Sequence, residues 1–261
     1  MSPNIEFNSS AVNAGDCISD GWSLIQPNYW LFLGMSFLGL IIGGCIPCVS
    51  IFLAGPVMVG IFYTLFTQMR GQPVEFGMMF KGFERFVPAM VVGIISSLPE
   101  IAGEGLRITA RFADFGNRVS GNQSEFVAQS LPNFALSGGI IILIVCFAIV
   151  AFIISIAWKI TFIFALPLIA DRNLEIGDAL KLSARAGWAN WSGLLVLFIF
   201  QFLVALVGVL LLCVGVFFVI PIIQASTATA YRQVFPDNQL PFNNEPPRPD
   251  AYGETYGTAQ Q

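Results

Sequence analysis

Few residues of this chain combine a type and a spacing that could do chemistry. Its 261 residues include no histidine, which removes the commonest general base and the commonest ligand for zinc, copper or haem. Cys45-Ile46-Pro47-Cys48 has CxxC spacing, but it sits in an apolar turn without the strand and helix of a redox domain. Two inert cysteines near the turn, or a structural disulfide on the outer face, are the readings it allows. Cys17, Cys146 and Cys213 have no partner by spacing. Glu100 and Glu104 are the only acidic candidates close to lipid, at the far end of a short apolar tract. Lys159 interrupts a second tract and Gln201 stands near the middle of a third. A lysine inside a span is a functional candidate, yet beside Trp158 it has the simpler role of snorkelling to the interface. Gln201 most simply hydrogen-bonds between helices, with a substrate contact as the sharper alternative. No nucleophile–base pair, carboxylate pair or metal-ligand cluster emerges. The sequence predicts no catalytic residue, no metal and no cofactor.

Composition explains that scarcity. Hydrophobic residues make up 56% of the chain and charged ones 11%, against about 25% charged in a soluble domain. Mean hydropathy is +0.75. Such a chain has too little polar surface to cover a globule in water, so a lipid bilayer is its expected solvent. The formal charge of -4 is small and spread out, which leaves no basic surface for nucleic acid. Met1 to Asn13 is polar without Lys or Arg, and the pattern of a cleaved signal peptide is not seen.

The apolar tracts set the elements. Ala186 to Tyr231 runs 46 residues without Asp, Glu, Lys or Arg. As one helix it would measure about 69 Å, more than twice the roughly 30 Å hydrocarbon core. It must fold back once, and Cys213-Val214-Gly215 is the expected turn. Gly21 to Met69 is likewise free of charge for 49 residues. Its turn is expected at Gly43 to Cys48, where Gly and Pro break the helix, giving spans over 29–45 and 49–68. Phe126 to Trp158 yields one span over 137–158, with Ile160 to Ala170, containing Pro167, extending or bending it. The third span, 86–105, is the weakest. Only 14 uncharged residues separate Arg85 from Glu100, so it crosses only if Arg85 snorkels and the helix continues past Glu100. Beyond it, Glu100, Glu104, Arg107, Arg111, Asp114 and Arg118 recur at four- and three-residue steps, opposite Ile108, Phe112, Phe115 and Val119. That is an amphipathic helix with a solvated charged stripe. Residues 116–133 read as a loop.

These parts recur. Gly15, Asp16 and Asn28 return as Gly177, Asp178 and Asn190, and Pro56, Thr64 and Gln68 return as Pro221, Thr229 and Gln233. A fainter middle copy matches Gly77, Lys81 and Arg85 to Gly177, Lys181 and Arg185, with Pro167 at the proline position. The predicted fold is an all-α polytopic membrane protein. It has about six transmembrane helices in three hairpins, each preceded by an amphipathic interfacial helix. The polar tail 1–13 leads into a membrane domain, 14–235, built of units 14–70, 71–172 and 174–235. An insertion covers 103–136, and a disordered Pro-rich tail covers 236–261. The lead-in segments are 14–26, 71–86 and 174–190. Ile18, Trp22 and Ile25 form the apolar stripe of the first, while Lys81, Arg85, Lys181 and Arg185 give the other two a basic edge suited to anionic lipid. Eight basic residues, Arg70, Lys81, Arg85, Arg172, Lys181, Arg185, Arg232 and Arg248, fall on the side of the termini. Arg107, Arg111 and Arg118 fall opposite, and Lys159 lies at the boundary. The positive-inside rule then makes both termini cytoplasmic.

FALPLIADRNLEIGDALKLSARAGWANW, the hairpin after it and the closing ATAYRQVF resemble a bacterial membrane-domain family sometimes fused to glycerophosphodiester phosphodiesterases. LAGPVMVGIFYTLFTQMRGQPVEFGMMFKGF is similar to the first half of that pattern. The resemblance covers residues 15–235 and implies a bacterial inner-membrane location. It carries over no catalytic residues, and no soluble α/β stretch is present to hold the phosphodiesterase. The expected function is that of a non-enzymatic scaffold or envelope component acting through lipids or membrane-protein partners. A small-molecule or lipid transporter or channel is the alternative, mildly favoured by the repeats and Gln201. An intramembrane enzyme ranks last.

Overall fold

The computed structural model describes residues 6–45, 47–119, 138–210 and 215–236. Among these, every regular element is a helix. The first unit comprises α1 (Ala14–Ile25), one 3-10 turn (Gln26–Asn28), α2 (Tyr29–Cys45) and α3 (Pro47–Met69). A 3-10 helix (Phe76–Arg85), α4 (Phe86–Ser96), α5 (Leu98–Val119), α6 (Gly138–Phe162) and α7 (Ala165–Arg172) follow. The chain closes with α8 (Ile176–Ala189), α9 (Trp191–Leu210) and α10 (Gly215–Val234).

Among the described residues, four runs are long and apolar enough to cross a membrane: Ala14–Ile42, Ile51–Met69, Val145–Arg172 and Trp191–Leu210. A fifth would be Phe76–Ser96 with Leu98–Thr109, which meet at a 61° bend. The chain is therefore that of a multi-pass membrane protein. α2 is described to Cys45 and α3 from Pro47, and residue 46 between them, within the expected Gly/Pro turn, lies outside the described residues. The expected turn at Cys213-Val214-Gly215 lies mostly outside the described residues, as do the side chains of Cys45 and Cys48 and the segment 120–137.

Several elements differ from the sequence expectation. α5 continues to Val119, so helix occupies the start of the expected 116–133 loop. The middle lead-in is 3-10 rather than α-helical. Pro167 lies in the short α7, past a break in the helix at residues 163–164, whereas Pro56 and Pro221 lie inside unbroken helices. α1 also buries another stripe than Ile18, Trp22 and Ile25. Its inward face is Ala14, Cys17, Gly21 and Ile25, while Trp22 is exposed. Small residues win that face because they let α1 approach α10 closely: a Cβ on Gly21 would stand 2.8 Å from the backbone nitrogen of Ser226.

Burial divides the molecule into two ends. Val57 to Met69 of α3, Ile160 to Ala170, and Ala225 to Phe235 supply most of the fully buried side chains. The large exposed apolar side chains lie elsewhere, on α2 (Phe37, Leu40, Ile41), the start of α3, α6 (Ile142 to Ile154) and α9 (Val196 to Leu210). Phe147 is 75% exposed. Soluble monomers rarely expose apolar surface on this scale, and α2, α3, α6 and α9 all contribute to the runs long and apolar enough to cross a membrane.

Candidate functional site

The buried end converges on one carboxylate. Asp171, the penultimate residue of α7, keeps only 3% of its side chain exposed. The last turn of α10 brings Arg232, whose two terminal nitrogens donate to Oδ1 at 2.7 Å and to Oδ2 at 3.0 Å. Arg70, just past α3, donates to Oδ1 at 2.6 Å. The hydroxyl of Tyr231 donates to Oδ2 at 3.0 Å, and Arg172 Nε lies 3.7 Å from the same oxygen. Charge-assisted, bidentate geometry of this kind is among the stronger polar contacts a protein makes. The Arg232 guanidinium also lies over the Phe66 ring, 4.6 Å from its centroid, which adds a cation–π contribution. Phe66, Phe164, Tyr231 and Phe235 stack around it as an aromatic wall.

Local structure places these groups. α3 and α7 both stop immediately beside an arginine, at a residue in the left-handed region: Gly71 with φ 69° and Asn173 with φ 51°. Glycine and asparagine adopt that conformation at least cost, which is why they end helices. The amide of Gly71 donates to Gln68 O and that of Asn173 to Ile169 O, satisfying carbonyls the helix ends leave open. The C-termini of α3, α7 and α10 therefore meet, each bringing about half a negative charge from its aligned peptide dipoles. Among the described residues, three guanidiniums face this carboxylate and these helix ends. With both carboxylate oxygens engaged by guanidiniums and a phenol and almost none of the side chain exposed, the arrangement is a structural pin.

The residues singled out from the sequence lie elsewhere. Gln201 is 9% exposed. Its amide donates to Ser226 Oγ at 2.9 Å, Thr227 Oγ1 at 3.1 Å and Ile223 O at 3.4 Å, tying α9 to α10. Lys159 forms an ion pair with Glu100. Sequence reasoning put these two at opposite ends of their spans. The structure joins them because α4 has only 11 residues, about 16 Å, and the chain bends by 61° straight after it. Trp158 confirms the common level, its indole donating to Ile95 O at 2.9 Å. Glu104 pairs with Arg107 at 2.8 Å on the exposed face of α5. Lys81 donates to the Tyr63 hydroxyl at 3.1 Å, whereas Arg85, Lys181 and Arg185 are exposed. None of the eight touches Asp171.

The pin was missed because Arg70, Arg172 and Arg232 read from sequence as flanking charges, and Asp171 as one acid among them. One signal was present: each of the three lies at the end of a long apolar tract. No family model, curated protein or solved structure matches the chain.

Proposed function

We propose that this chain is a non-enzymatic, multi-pass component of a cell envelope. In this reading it acts as a scaffold whose lead-in segments contact lipid or membrane-protein partners. The observation that supports it is the use of the polar groups within the apolar helices. Gln201 spends its amide hydrogens on α10, and Ser36 Oγ donates to Gln224 Oε1 at 2.8 Å between α2 and α10. Polar groups engaged with neighbouring helices hold a bundle together; a transport pathway needs them facing a solute.

The finer architecture belongs to the same proposal. It has six spans, with α4 and the start of α5 as a broken third one, and both termini on the cytoplasmic face of a bacterial inner membrane. The family resemblance across residues 15–235 is part of this reading and assigns no activity. Lys81, Arg85, Lys181 and Arg185 would face anionic headgroups, to which basic side chains near a charged surface are attracted. Native mass spectrometry from mixed phosphatidylglycerol and phosphatidylcholine membranes tests this. The wild type should retain the anionic lipid, and the fourfold glutamine variant of those residues should lose it. Solute flux in proteoliposomes that Gln201→Ala abolishes would replace the scaffold by a transporter.

A further inference from the structure

Three backbone approaches made by glycine share one logic. In the middle lead-in, a Cβ on Gly82 would overlap Pro56 O of α3, and one on Gly60 of α3 would overlap Met79 O. In α8, a Cβ on Gly187 would overlap Ile160 O of α6. In α1, Gly21 meets the backbone of Ala225 and Ser226 in α10. Thus the second lead-in packs on the last helix of the first unit, and the third on the long helix of the second unit. The first lead-in packs on the last helix of the third unit. Registers agree between the first and third units, whereas Ile160, which receives the third lead-in, lies seven residues before Pro167 and so marks a shifted middle junction. Cys17, Gly21 and Ile25 of α1 are buried, and so are Ala179, Ser183 and Gly187 of α8, each 162 residues later. Gly60 and Ala225, the receiving positions, are 165 apart, the offset that relates Pro56 to Pro221.

From these contacts we infer that the three units pack head to tail into a closed ring. Its axis passes through Asp171, and residues 8–25 are the clasp that closes it. The ring rests on the repeat reading of the sequence; the lipid-binding role does not enter it. The clasp has its own bonds, which join the start of the chain to its end. The Asn8 amide donates to Val234 O at 2.9 Å, and the Asn190 side-chain amide donates to Asn8 O at 3.0 Å. The Ala11 amide donates to Asn190 Oδ1 at 2.8 Å, and the Asn13 amide to Gln233 Oε1 at 2.9 Å. In the first unit the equivalent pair, Asn28 and Gln68, bond to each other at 3.0 Å. In the third unit the N-terminal segment lies between them instead. Asn190 and Gln233 are therefore a receptor for the clasp.

Hydrogen exchange on the full chain in lipid nanodiscs tests the closure. Gly21→Leu drives a side chain into the α10 backbone and should open the clasp, raising exchange of the amides in residues 8–25 at least tenfold. Gly77→Leu, with open space around its Cβ, is the control and should leave them protected. A Gly21→Leu protein that exchanges like the Gly77→Leu protein overturns the ring. If Gly21→Leu does not reach the membrane, Asn190→Ala with Gln233→Ala decides the matter. Tenfold faster exchange confined to residues 8–13 supports the clasp, and unchanged exchange overturns it. Neither measurement reads lipid retention, so the ring and the scaffold role stand or fall separately.

Discussion

At the scale of single residues, the energetics centre on Asp171. Removing one partner from a buried ion pair leaves the others uncompensated, at a cost of about 3–5 kcal/mol. Asp171→Ala should therefore destabilise the protein by about that much in thermal unfolding. Adding Arg232→Met should restore part of the loss by removing the most deeply held guanidinium. A double variant less stable than Asp171→Ala alone would show that Arg232 has a role besides balancing Asp171. Gln201→Leu should cost only on the order of 1 kcal/mol and leave assembly intact. Sequence was informative about Gln201 and silent about Asp171 for one reason. A lone amide inside a charge-free tract must find a partner on the next helix, and the turn supplies that helix locally. Asp171 finds Arg70 and Arg232 across about a hundred and about sixty residues of chain, and no local pattern announces such pairs.

At the scale of elements, helix boundaries follow from tract length and from Gly and Pro. That is why α2 begins at Tyr29, after Pro27 and the 3-10 turn. What periodicity does not reveal is how a short element behaves. The run 76–85 satisfies a helical apolar pattern yet winds as a 3-10 helix, with Met79 and Gly82 buried and Phe76 and Phe80 exposed. Its packing against α3 decides this, because Gly60 and Gly82 let two backbones touch. Phe80 is then left exposed while Lys81 reaches back to Tyr63. Spin labels make the point measurable. A label at Phe80 or Leu180 should show the oxygen accessibility of the lipid interface, and labels at Lys81 and Lys181 should show that of water. Equal water exposure at all four would mean that the lead-ins stand clear of the bilayer.

At the scale of the whole molecule, the pin and the clasp fix which chain ends lie together. Arg70, Arg172 and Arg232 converge on Asp171, and the N-terminal segment is bonded to Val234 beside them. These residues therefore lie at one end of the bundle. α6 runs 25 residues, Gly138–Phe162, about 38 Å of helix, more than the hydrocarbon core is thick. The proposed topology puts its start toward the opposite face. Eight basic residues accompany the termini and three accompany α5, so the terminal face should be cytoplasmic. Alkaline phosphatase fused at Gln261 should be inactive, and phosphatase inserted within 116–130 should be active. Activity at both sites, or at neither, would mean that α4 and α5 do not cross between them. The reversed pattern would invert the whole protein in its membrane while leaving pin and clasp untouched, since both depend only on which helix ends meet.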